Sequence, residues 1–168
     1  MKTDTVSFDG INMDYCVFGH VSKTMVILPG VSFFKVAGSV EAIAQQYESF
    51  CDDYTIYLFD RRDDMPDVYS TEDMAEDTVK AMKALGLGKA SILGASQGGM
   101  MGLVIAINHP EMVERLLLAS STSRANDTSR ATSGQWIEWA KAGKMRELMD
   151  DVGDKMYTPA FVEQYYPA

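Results

Sequence analysis

Apolar positions in this chain fall into short runs of two periods, strand-like and helical, in alternation. Thr3 to Phe8 and Met13 to Val17 read as short strands, and Asp9-Gly10 between them tolerates positive φ, so a hairpin opens the chain. After the loop Gly19 to Lys23, Thr24-Met25-Val26-Ile27-Leu28 is an unbroken apolar run of the kind buried on both faces of a sheet, and Pro29-Gly30 stops it. Val40, Ile43, Ala44, Tyr47 and Phe50 recur at helical spacing within Ser39 to Cys51, with Ser39 as the N-cap. Tyr54 to Phe59 is the next strand, and the charged stretch Asp60 to Asp67 reads as a solvated loop. Ser70-Thr71-Glu72-Asp73 resembles a capping box with Asp in place of Glu. The helix it starts carries Met74, Thr78, Met82 and Leu85 on one face and is closed by Gly86. Ala90 to Leu93 is a strand, Gln97 to Asn108 a helix apolar almost all round, and Val113 to Ala119 a further buried strand beyond His109-Pro110.

Strands and helices in this alternation predict a mostly parallel, doubly wound α/β sheet with helices on both faces, the Gln97 helix packed at its middle. After Ser120 the texture changes. Residues 121–133, rich in Ser, Thr, Asn and Arg, read as a loop; Gly134 to Ala142 and Lys144 to Val152 read as two short helices bearing Trp136, Trp139, Met145, Leu148 and Met149, and Phe161 to Tyr166 starts a third. The predicted division is a core at 1–120 and a smaller helical segment at 121–168.

A length of 168 residues, 46% of them hydrophobic, suits one globular core with an appendage. The net charge of -9 argues against nucleic acid or an anionic membrane surface as partner, since both require a basic face. No apolar run reaches the roughly 20 residues of a membrane span and the N-terminus lacks a signal peptide's apolar core, so the cytoplasm is the expected location. Cys16 and Cys51 have no C-x-x-C spacing and read as buried or free thiols; with two histidines in total there is little from which to build a metal site, and no cofactor is expected.

The chemistry concentrates in Gly94-Ala95-Ser96-Gln97-Gly98. A serine at the apex of a sharp strand-to-helix turn sits in a strained conformation with helix and strand close together, and Gly94 and Gly98 remove the clashing Cβ atoms. The first N–H groups of the helix, from Gln97 on, face the space before the serine, where they and the helix dipole would stabilise a negative oxygen. A Walker A loop would need Lys-Ser/Thr where Gly99-Met100 stands. Gly86-Leu87-Gly88 follows a helix and precedes a strand, the wrong order for a dinucleotide site. The remaining competitor is a tight structural turn with an inert serine.

These features together resemble the α/β-hydrolase superfamily over nearly the whole chain. Ile92 to Gly99 is similar to the nucleophile elbow of its esterase-like members. Leu28-Pro29-Gly30-Val31 stands where they carry an H-G-x oxyanion loop, with Pro29 in place of His, and Asp60-Arg61-Arg62 where many have an Asp-x-x-Gly turn. His109 to Ala119 resembles their entry to strand six. The resemblance implies a serine hydrolase for carboxylic esters or related small acyl substrates, with Ser96 as nucleophile and the backbone N–H groups of Val31 and Gln97 as the oxyanion hole. Residues from 121 on would begin a helical cap, in which Trp136 and Trp139 either line an acyl pocket or pack the helices.

A serine needs a base oriented by a carboxylate, and the resemblance implies an acid after strand seven or six and a histidine after strand eight. Neither strand is found in this chain, and strand six is followed by Ser120-Ser121-Thr122. Ser96 is expected at the C-terminal edge of the sheet, with His20 and His109 at the other, separated by a helix of roughly 18 Å or a strand of roughly 16 Å. The expectation is therefore an N-terminal portion of a hydrolase, truncated after strand six, silent by itself and prone to self-association through the bare strand-six edge. The alternative is a non-catalytic, hydrolase-derived binding or assembly module.

Overall fold

Two strands, β1 (Lys2–Phe8) and β2 (Ile11–Phe18), pair antiparallel around Asp9 and Gly10. Their φ values of +48° and +77° suit the hairpin turn that matches strand twist. This computed structural model describes residues 1–32, 35, 38 and 40–165, so the predicted cap at Ser39 and the end of the predicted third helix at Tyr166 lie outside the described residues. With β3 (Thr24–Leu28), β4 (Thr55–Arg62), β5 (Ala90–Ala95) and β6 (Val113–Ala119) they form a six-stranded sheet ordered β1-β2-β4-β3-β5-β6. β2 meets β4 antiparallel, whereas β4, β3, β5 and β6 run parallel. The register sets Leu28 beside Gly94 and Ala95 beside Ala119, so the ends of β3, β5 and β6 gather at one edge.

The period-two alternation of β3 divides the core. Val26 and Leu28 join Phe59, Met82, Ile92, Met101 and Ile105 on the face covered by α2 (Thr71–Ala84) and α3 (Gln97–Asn108). Met25 and Ile27 join Cys16, Phe18, Ile56 and Leu58 on the opposite face, under Val40 of α1 (Val40–Gln46). The Ser70 and Asp73 capping box forms in full, and Gly86 follows α2 at φ +69°. The predicted helix to Cys51 is split: α1 gives way to a 3-10 turn, Glu48–Phe50, in which Phe50 donates to the Tyr47 carbonyl over 3.0 Å.

Two expectations change. β6 ends the sheet, as the bare strand-six edge predicts, but it is not the buried strand its apolar run implied: paired on one side only, it leaves Leu117 40% and Leu118 48% exposed. α3 covers β3, β5 and β6 rather than the middle of the sheet, and its outer residue Ile107 stays 76% exposed.

The chain divides into compact units of residues 1–123 and 124–168. The second contains α4 (Asp127–Lys141), α5 (Met145–Met156) and α6 (Pro159–Tyr165). The stretch expected as loop to residue 133 is helical from Asp127, since its polar residues serve as caps: the Asn126 side chain accepts from the Ser129 N–H at 2.8 Å and the Ser129 hydroxyl from the Asn126 N–H at 2.9 Å. α5 likewise continues past Val152 to Met156.

Candidate active site

Ser96 stands between β5 and α3 at φ 52°, ψ -119°, a region in which a residue with a Cβ is strained by about 1–3 kcal/mol. The strand and helix flanking it are in backbone contact. A Cβ on Gly94 would lie 2.5 Å from the Gly98 carbonyl oxygen, and one on Gly98 would lie 1.9 Å from that of Leu28. Gly94 thus admits the helix against its own strand, whereas Gly98 admits the end of the neighbouring strand β3. Ser96→Gly should release the strain and raise unfolding free energy by about 1 kcal/mol in urea titration; an unchanged midpoint would show that the turn stores none.

The loop after β3 lies against the same turn. A Cβ on Gly30 would come 3.2 Å from the Ser96 Cβ and 3.7 Å from its Oγ. Val31 follows in an exposed stretch of that loop. Gln97 is the first residue of α3, whose opening N–H groups have no acceptor within the helix. Ser96, Gln97 and the Gly30-Val31 segment are therefore neighbours.

Asp60 to Asp67 is only partly the solvated loop expected from its charges. β4 extends through Asp60, Arg61 and Arg62, Asp60 is buried, and Arg62 is opposite Met13 of β2. The Arg61 Nη2 donates to the Pro29 carbonyl at 3.1 Å and to Gln97 Oε1 at 3.0 Å, so one guanidinium fastens the β3 loop to the start of α3. Burial lowers its pKa, while Tyr69 and Asp60 act in the opposite sense. Arg62 approaches the buried Asp77 at 3.7 Å, and Asp77 accepts from the Tyr69 hydroxyl at 2.7 Å. Burial first, and then that hydrogen bond, raise the Tyr69 hydroxyl above its ordinary range. The available signal was positional, a pair of arginines directly after an apolar strand whose end lies at the edge where loops converge.

Neither histidine is near this turn. His109 caps the far end of α3, where Nε2 lies 2.9 Å and 3.0 Å from the two Glu76 carboxylate oxygens, and His20 is exposed in the loop before β3. α3 has twelve residues, a separation of roughly 18 Å. In the second unit the Trp136 Nε1 donates to Asp151 Oδ2 at 2.7 Å, tying α4 to α5, and Trp139 is half-buried. Burial, aided by Asp60, pushes the Cys16 thiol up to about 11, unsuited to nucleophilic work near neutrality. Among the described residues no cluster of three metal-ligating side chains occurs, and no helix is long and apolar enough to cross a membrane.

Residues 29–161 match the family model described as the alpha/beta hydrolase fold. The "Putative carbamate hydrolase RutD" of Caulobacter segnis is 30% identical over 175 aligned positions, covering 100% of this chain and 60% of that protein. The 2-hydroxymuconate semialdehyde hydrolase of Pseudomonas putida is 33% identical over 82 positions, covering 49% of this chain and 29% of its own. Among solved structures, the alpha/beta hydrolase enzyme MGS-M2 from a Medee basin deep-sea metagenome superposes with a TM-score of 0.82 at 21% identity, over 96% of this chain and 60% of that one. The enol-lactonase of Burkholderia xenovorans LB400 superposes with a TM-score of 0.79 at 18% identity, over 96% and 62%. The chain thus spans at most about 60% of the length of these curated relatives.

Proposed function

The chain belongs to the α/β hydrolase fold family, and on that premise we propose that Ser96 is the nucleophile of a hydrolase acting on esters or related acyl groups. Carbamates and lactones fall within the same carbonyl chemistry and are named for two of the similar proteins. The carrying observation is the strained Ser96 between β5 and α3, with the β3 loop beside it. In the proposed reaction Oγ attacks the carbonyl carbon, a base takes its proton, and the developing oxyanion is held by the N–H groups of Val31 and Gln97. The leaving group then departs with a proton, and water releases the acyl group. In this reading residues 1–120 are the catalytic core and 121–168 belong to a helical cap.

His109 engages Glu76 and His20 precedes β3, so neither supplies the base. The 168-residue chain is then silent alone. A fluorophosphonate probe tests this: Oγ would attack phosphorus and displace fluoride. Intact mass should show negligible adduct, and adding imidazole as a diffusible base should produce one at Ser96 that Ser96→Ala abolishes. Absence of an imidazole-dependent adduct on folded protein would favour the second reading, a non-catalytic binding or assembly module, which the placement of both histidines supports.

The exposed β6 edge, with Leu117 and Leu118, is the proposed surface for self-association, since an open strand edge offers unpaired N–H and C=O groups to a second copy. Sedimentation should show a dimer at micromolar concentration; a clean monomer throughout would refute it.

A further inference from the structure

The Ser96 carbonyl and the Gln97 N–H are two ends of one peptide group, so whatever binds the carbonyl acts on the N–H assigned to the oxyanion hole. Three donors converge on that carbonyl: the N–H of Gly99 at 3.0 Å, the N–H of Met100 at 3.3 Å, and the Ser121 hydroxyl at 2.7 Å. The first two belong to the opening turn of α3, but the third comes from the segment after β6. Ser121 is placed there by two features. Ser120 takes φ +49°, which turns the chain at the end of β6, and Gly99 has no side chain, since a Cβ there would lie 2.4 Å from both Cβ and Oγ of Ser121. The last residue of β6 holds the other side of Ser96, whose N–H donates to the Ala119 carbonyl at 2.9 Å.

We propose that Ser121 is a positioning residue for the oxyanion hole, orienting and polarising the Ser96–Gln97 peptide through its carbonyl. This rests on the reading of Ser96 as nucleophile. A hydrogen bond accepted by a carbonyl shifts electron density toward oxygen and makes the N–H of that peptide a stronger donor, the cooperativity of hydrogen-bond chains. It also resists rotation of the peptide plane, so the N–H stays aimed at the space before Ser96. A donor already in place stabilises an oxyanion with less reorganisation.

Amide NMR of the folded chain provides the test. In Ser121→Ala the Gln97 amide proton should move upfield. Ser91→Ala, which removes a buried hydroxyl on the same strand β5 with no partner among the described residues, should leave it unchanged. A Gln97 amide identical in Ser121→Ala and wild type, in folded protein, overturns the proposal. Phenylboronic acid, whose boron adds to the serine oxygen while imidazole, present as the diffusible base, takes the hydroxyl proton and leaves a tetrahedral anion, is then titrated into the same samples. Affinity about tenfold weaker in Ser121→Ala supports the proposal, and equal affinity overturns it. A Gln97 signal that responds to Ser121 but never to the boronate supports the peptide coupling and refutes the nucleophile reading instead.

Discussion

Gly98→Ala is expected to lower unfolding free energy by about 3 kcal/mol or more, at the upper end of overpacking costs. The added Cβ would sit 1.9 Å from the Leu28 carbonyl oxygen, 2.4 Å from its carbon and 2.7 Å from the Pro29 carbonyl oxygen. All three are backbone atoms at the end of a central strand, so no side-chain rotation relieves the contact. Either α3 shifts away from β3 or the end of β3 moves, and each would displace the turn that carries Ser96. Gly134→Ala is the control: it lies within α4 with open space at its Cβ position, and there alanine should stabilise by about 0.5–1 kcal/mol through helix propensity. Urea titration followed by circular dichroism reads both. A Gly98→Ala cost below about 1 kcal/mol would show that the strand and helix are not held at this separation.

Arg61→Met should cost about 2–3 kcal/mol, because hydrogen bonds from a charged donor are each worth about 1.5–3 kcal/mol. The substitution keeps much of the apolar stem while leaving the Pro29 carbonyl and Gln97 Oε1 without their donor. Arg61→Lys should recover only part of the loss, since an ammonium lacks the planar fork that lets one guanidinium serve two acceptors. Combining Arg61→Met with Gln97→Met gives a double-mutant cycle, and a coupling energy near zero would mean that the bond to Gln97 carries no stability. In the proposed enzyme the same variants loosen the β3 loop against α3, so any turnover should fall with them.

The order of elements, the hairpin at Asp9-Gly10, the Ser70 capping box and the strand-turn-helix around Ser96 were legible because each is set by contacts within a few residues. Periodicity names the face of an element that seeks burial, and glycine marks where the backbone needs space or positive φ. Residues 127–133 were read as loop because Ser, Thr and Asn favour loops and caps alike, and their role as caps emerges only once the helix after them forms.

The turn around Ser96 could thus be read from the chain itself: Gly94, Ser96 and Gly98 are close in sequence, and their spacing already implies it. What surrounds them could not. Sheet order put the charged pair Arg61-Arg62 into the end of β4 and brought Ser121 to the Ser96 carbonyl across 25 positions of sequence. Arg61 meets Gln97 across 36. Local pattern determines what a residue prefers to be near, but which distant groups meet depends on strand pairing. That pairing is settled by the packing of the whole sheet.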